Sequence, residues 1–486
     1  MMRLHPPALA IMLMLLTTAC GRNQDDSPLA VSVIGDHLTL TDPNAGPLGA
    51  PDAALVSAVA QGLVRYDASG QIEPGLAIRW AISEDGLFYT FRLDDIEGLD
   101  AEMVARRLRT VIAKRSENRL KPILGAIDEI VAVTPQVVEL RLIAPRPNLL
   151  DLLAQPDLAI IERKLNTGPL VIAEQTTRHV MLQPLPPADA ADAIGKDELR
   201  RRSIYLRHDR AAIAVARFMA GGADVVLDGN VGTLAIAHAA NPRPRDLRMD
   251  PVTGLFGLAA VEREGFAGIS ENRRALAMAV DRDRIVAAFN APGWQAATSL
   301  VAAGTTELPQ PTQAGWTGRA LSERRTAAAS IVRVWQLAHP GETATVRVAL
   351  PDGPGHKLLF AMLKSDWAAI GVRAERVGMR EDADLRLVDE VAPAQTATWY
   401  LRHFTCPYNP VCSEAADSAL DLARSASHPI ERAARIADAD LRLAELVPYI
   451  PIAQPLRWSL VGTRVTGFVA NNRGVHPLNH LIEEPR

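Results

Sequence analysis

AVAQGLVRYDASGQIEPGLAIRWAISEDGLFYTFRL, residues 58–93, is the stretch on which the reading of this chain turns. Leu55, just upstream, joins Val59 and Leu63 at i, i+4 and i+8, the apolar stripe at the end of an amphipathic helix. Asp67, Ser69 and Gly70 supply turn chemistry. Glu84-Asp85-Gly86 reads as a hairpin turn, and the strand beyond it alternates Tyr89, Phe91 and Leu93 with Thr90 and Arg92.

The same interleaving of periods continues outward, which places the chain in the α/β class. Val138, Leu140 and Leu142 alternate as a half-buried strand, as do Val346, Val348 and Leu350. A helix over 357–370 carries Leu359, Leu363 and Trp367 on one stripe and ends at Gly371. A second helix over 431–447 puts Ala437, Leu441 and Ala444 on one face and stops before Pro448. At 486 residues the chain exceeds one core, so two or three domains are expected. Pro- and Gly-rich loops at 42–51, 185–187, 241–244 and 307–318 are the candidate connections. With 48% apolar and 22% charged residues the composition is globular, and no basic patch with interleaved aromatics supports nucleic-acid binding.

The N-terminus reads as an export signal: Arg3, then an apolar run over 8–18 too short to span a bilayer. Leu16-Thr17-Thr18-Ala19-Cys20 looks like a lipobox, which predicts a signal peptide over 1–19, lipidation at Cys20 and a polar tether over 20–30. In the oxidising compartment this implies, Cys406 and Cys412 are expected to form a disulfide. The competing arrangement is a zinc site with His403, for which a fourth ligand is not evident. Pro477 between His476 and His480 rules against a helical histidine pair. There is no Gly-x-Ser-x-Gly elbow and no phosphate-binding loop, so no catalytic residue, metal or cofactor is assigned.

Gly62, Leu63, Asp67, Gly70, Ile72, Pro74, Leu76, Ala77, Trp80, Ser83, Asp85, Gly86, Leu87, Tyr89, Thr90, Phe91 and Leu93 together resemble the opening of bacterial solute-binding protein family 5, the peptide- and nickel-binding receptors of ABC importers. Residues 167–170, 220–225, 272–286 and 447–460 extend the resemblance. Within 272–286, Arg273 is expected to be scaffold and Asp281 a helix cap. The chain departs from the family pattern at residues 94–104 and lacks its usual W..DY.DP.

The resemblance implies a two-lobed periplasmic-binding-protein-like (type II) fold with an extra domain inserted in the first lobe. It assigns 31–50, 165–258 and 456–486 to lobe I, 51–164 to the insert and 259–455 to lobe II. Peptide-binding members hold the ligand's ammonium with an Asp after a strand. Here Asp389 or Glu390 takes that place, unless both are solvated loop charges, while Trp399 and Tyr400 line either the cleft or the core. The function implied is an extracytoplasmic, monomeric, lipid-anchored receptor on the periplasmic side of the membrane. It would capture a peptide or similar small solute and deliver it to a permease served by a separate ATPase. The alternative is a sensor or surface interaction protein that has lost transport, motivated by the departures at 94–104 and around Asp389.

Overall fold

The computed structural model describes residues 27–162, 165–185, 195–426 and 428–482; Cys20 and the leader lie outside them. Among the described residues no helix is long and apolar enough to cross a membrane.

Three larger sheets organise the chain. The first has seven strands in the order Leu247–Asp250, Arg457–Val461, Val225–Asn230, Leu29–Ile34, Ile204–Asp209, His179–Pro184 and Leu170–Gln175. Leu29–Ile34 runs parallel to both neighbours because helices carry the chain between them. The second has five strands in the order Arg373–Val377, Thr345–Ala349, Leu385–Val391, Gly254–Ala260 and Tyr449–Ala453. The third is a four-stranded antiparallel sheet within the insert, built on the hairpin of residues 77–93. Tyr89, Phe91 and Leu93 face its core and Arg92 faces water, the alternation expected of a sheet with one buried face. Helix Ala101–Ile112, capped by Asp100 accepting from Met103 N at 2.7 Å, buries Val104, Leu108 and Val111 in the same core. The architecture is the two-lobed α/β fold with an insert in the first lobe.

The chain passes between the first two sheets twice, after Asp250 and after Ala453, so both lobes hang on paired short connections. Their cores merge there: Val226, Val231, Leu234 and Trp458 share one cluster with Phe256, Leu359, Leu363 and Trp367. Helix Val231–Ala240 meets helix Pro354–Ala368 at their first turns. A Cβ on Gly355 would stand 1.9 Å from the Val231 carbonyl oxygen, so only glycine permits this approach.

Two readings from periodicity need correction. The stripe Leu55, Val59, Leu63 is not one helix face, because helix Ala50–Val59 ends with Ala60 in extended conformation. Leu55 and Val59 pack with Leu29–Ile34 in the first lobe, although residue 51 was assigned to the insert; Leu63 enters the insert's core. Helix Pro429–Leu446 buries Ile436, Ala439 and Leu443, while Leu441 is 48% exposed. Both stripes of that helix are apolar, and packing against helix Glu414–Ser425 selects the one facing it.

The helix break at Asp281 is as read: its carboxylate accepts from Arg284 N at 3.1 Å. Arg273 is 1% exposed and donates to four backbone carbonyls, those of Val447, Ala267, Gly268 and Leu446, a scaffold role. Cys406 and Cys412 are joined by a disulfide with Cα atoms 4.9 Å apart, and among the described residues no three His, Cys, Asp or Glu side chains group as a metal site. Counting thiols on denatured, unreduced protein should find neither cysteine free. The double Cys→Ser variant is expected to lose roughly 2 kcal/mol of stability through the opened loop; two reactive thiols in the wild type would refute the bond.

Candidate functional site

Strand Leu385–Val391 carries Asp389 and Glu390 to the junction of the lobes, and the strand's alternation sends them to different partners. Asp389 turns to the first lobe. Its carboxylate takes Arg457 Nη1 at 2.8 Å, and its backbone carbonyl takes Nη2 at 3.3 Å. Both side chains are largely buried, at 16% and 15% exposure. Burial works against the Arg457 charge, but Asp389 and Asp228 outweigh it and hold the guanidinium above its ordinary range. An ion pair so placed ties one lobe to the other.

Asp228 was missed by the sequence reading. It lies inside strand Val225–Asn230 with φ at +62°, in the left-handed region. Gly229, next in sequence, lies flat against Trp458, where a Cβ would sit 2.0 Å from the indole ring. That contact, at a register shift against Arg457–Val461, dictates the turn of the chain. Among the described residues no hydrogen bond reaches the Asp228 carboxylate. Burial pushes its pKa up to about 6; Arg457 opposes the rise and Asp389 adds to it. A strained, unbonded carboxylate beside an ion pair is the kind of group that gathers at binding sites. The only sequence signal for it was Asp228-Gly229, a turn dipeptide.

Glu390 turns the other way. Its carboxylate lies 3.2 Å from His403 Nε2, and His403 Nδ1 lies 2.9 Å from the Trp399 carbonyl oxygen. With an acceptor at each nitrogen the ring is set up to donate twice, as imidazolium. Burial disfavours that charge, yet Glu390 prevails and the imidazole pKa is raised. Burial likewise opposes the Glu390 charge, and His403, then Arg119, hold its pKa below the ordinary range. Half of the Glu390 side chain remains open to solvent, so the pair is wet and screened. Arg119 comes from the insert, fixed by a two-pronged pair to Asp157 at 2.8 and 2.9 Å.

Trp399 and Tyr400 both belong to the second lobe's core cluster, and Trp399 also reaches a cavity. Trp399 stacks edge-on to His403 at 4.6 Å and also lines a cavity of about 220 Å³ between the insert and the second lobe. Tyr400 is 1% exposed, lies in the second lobe's core and bonds Thr253; burial raises its pKa to about 12. Of the two expectations for it, Tyr400 takes the core, its ring packed edge-on against Trp399 with centroids 4.8 Å apart.

A clasp closes the far side of the cleft. The Pro393 carbonyl of the second lobe accepts from Gln155 Nε2 at 3.2 Å and from Arg473 Nη1 at 2.9 Å. Arg473 also pairs with Asp151 and lies over the Tyr66 ring, 5.4 Å from its centroid. His476 and His480 serve the same tail separately, on Asp250 at 3.1 Å and Glu73 at 2.9 Å.

Residues 71–408 match the family described as bacterial extracellular solute-binding proteins, family 5. Over 119 residues the chain is 33% identical to the nickel-binding periplasmic protein of Escherichia coli strain K12, a match covering 22% of this chain and 23% of that one. The chain thus spans about a quarter of the length of that curated relative. Among solved structures, the murein tripeptide binding protein MppA of Escherichia coli superposes with a TM-score of 0.77 at 18% identity, covering 93% of this chain and 97% of the other. Haemophilus influenzae OppA, in complex with RPPGFSPFR, gives 0.76 at 15% identity, covering 93% and 97%.

Proposed function

The chain belongs to family 5 of the bacterial extracellular solute-binding proteins, and on that premise we propose that it captures a peptide or similar small solute between its lobes for an ABC import system. The observation that carries this reading is the half-exposed Glu390–His403 pair of the second lobe, set within electrostatic reach of Arg119 from the insert. Such a cleft offers both signs of charge, the complement of a solute with both. Contacts made to both lobes at once favour the closed form, which is the form a permease would receive. The leader's lipobox supports a mature protein anchored through Cys20.

In this reading Glu390 takes the solute's ammonium group, while Asp389 is committed to Arg457. Native mass spectrometry of the purified protein should show a co-purifying small molecule. Calorimetry with a short-peptide library on wild type, Asp389→Asn and Glu390→Gln then tests the assignment. Glu390→Gln is expected to weaken binding roughly tenfold, the worth of one charge-assisted hydrogen bond. Equal affinity in wild type and Glu390→Gln would remove this residue from the site. Absence of any peptide or co-purified solute would transfer the reading to a sensor or surface interaction protein on the same fold.

A further inference from the structure

The cavity of about 220 Å³ beside Trp399 has apolar walls from Ile123, Leu149 and Leu152 of the insert and Pro429 and Ala433 of the second lobe. Its charges do not balance. Glu307 at its edge is fully engaged by Arg432 and by Thr398, whose N and Oγ1 donate at 3.0 and 2.6 Å. Arg424 has Asp421 at 2.6 Å. Arg146, which lines the cavity, bonds only the carbonyl of its own neighbour Pro145 at 3.1 Å, and no carboxylate pairs with it among the described residues. Arg402 lies outside the cavity lining but near enough to repel Arg146. Burial first, then repulsion from Arg432, pushes the Arg146 pKa down to about 10 against the attraction of Glu307, and it remains a cation at neutral pH.

A partly buried guanidinium to which no carboxylate is hydrogen-bonded among the described residues, on the wall of a largely apolar cavity, favours an anionic occupant. We propose that this cavity seats an acid-terminated apolar group of the solute, its carboxylate held by Arg146 and its apolar body packed on Leu149, Leu152 and Trp399. The guanidinium fork matches a carboxylate in two parallel hydrogen bonds. For size, an apolar cavity of ~150 Å³ holds benzene, so this one accommodates a ring or branched chain with a short acid-bearing arm. The inference rests on capture between the lobes, since both the insert and the second lobe supply the walls.

The test uses calorimetry on the full folded body with benzoate, 3-phenylpropionate and hexanoate, each against its primary amide. At least one acid is expected to bind, with its amide weaker by roughly 10- to 100-fold, the range for hydrogen bonds to a charged group. Arg146→Gln should erase that preference, and Arg146→Lys should keep most of it. Thermal unfolding of both variants checks that they fold. Failure of all three acids to bind wild type, equal binding of acid and amide, or an acid preference surviving in Arg146→Gln would each overturn the proposal. A co-purified or peptide solute whose affinity is untouched by Arg146→Gln would overturn it too while leaving capture between the lobes intact.

Discussion

Arg473→Met is expected to weaken solute binding by roughly a hundredfold and to enlarge the protein in solution. The Pro393 carbonyl is where the second lobe touches the tail, and two donors converge on it from the first-lobe side, Arg473 at 2.9 Å and Gln155 at 3.2 Å. The guanidinium is held in place by Asp151 and the Tyr66 ring, and only 11% of it is exposed. A charged donor in such a setting contributes about 1.5–3 kcal/mol. The part that bridges the lobes exists only when they are closed. Losing it shifts the open–closed equilibrium, and apparent affinity falls by the same factor as the closed population. The pair with Asp151 lies within one lobe and its insert, so its loss lowers stability in either form. Methionine keeps the length of the side chain without the charge. Small-angle scattering on the unliganded protein should report a larger radius of gyration, and calorimetry the weaker binding. Gln155→Leu should act in the same direction with a smaller effect. An unchanged radius together with unchanged affinity would show that the clasp does not govern closure.

Asp228→Asn is expected to stabilise the protein at neutral pH and to leave it unchanged at pH 4. The folded pKa of Asp228 is raised to about 6 from an ordinary value of 3.8, by burial first. Between those two values the native state holds a proton that the unfolded chain has released. Its contribution therefore declines as pH rises through that window, and above it the full penalty of the ionised form remains. At pH 7 the penalty is roughly 2–3 kcal/mol. Asparagine tolerates the left-handed backbone that Asp228 occupies, so the substitution removes charge without adding strain. Melting temperature against pH from 4 to 8 should diverge between variant and wild type above pH 5. Parallel curves would place the Asp228 titration elsewhere. A group retained at such a cost to stability is the usual mark of a binding function.

The local order of elements was legible in the sequence because it follows from short-range physics. Tyr89, Phe91 and Leu93 alternate over six residues, Asp281 caps a helix three residues away, and Leu359, Leu363 and Trp367 recur at one helical period. Family membership was legible from the same segments, since the turn and hairpin of residues 58–93 carry constraints that few sequences meet. What periodicity does not contain is which of two apolar surfaces finds a partner. Leu441 lost to Leu443 because helix Glu414–Ser425 packs on that side, and Leu55 and Leu63 went to different cores because the chain extends at Ala60 between them. The site is further still from local rules. Asp389 meets Arg457 across 68 residues, Gln155 meets Pro393 across 238, and Asp228 is set by Trp458 pressing on Gly229. The chain's own pattern determined helices, strands, caps and fold family. Which charged groups lack a hydrogen-bonded counter-charge among the described residues, Asp228 and Arg146 among them, was decided only by the tertiary structure, because charge pairing depends on distances that the order of residues does not hold.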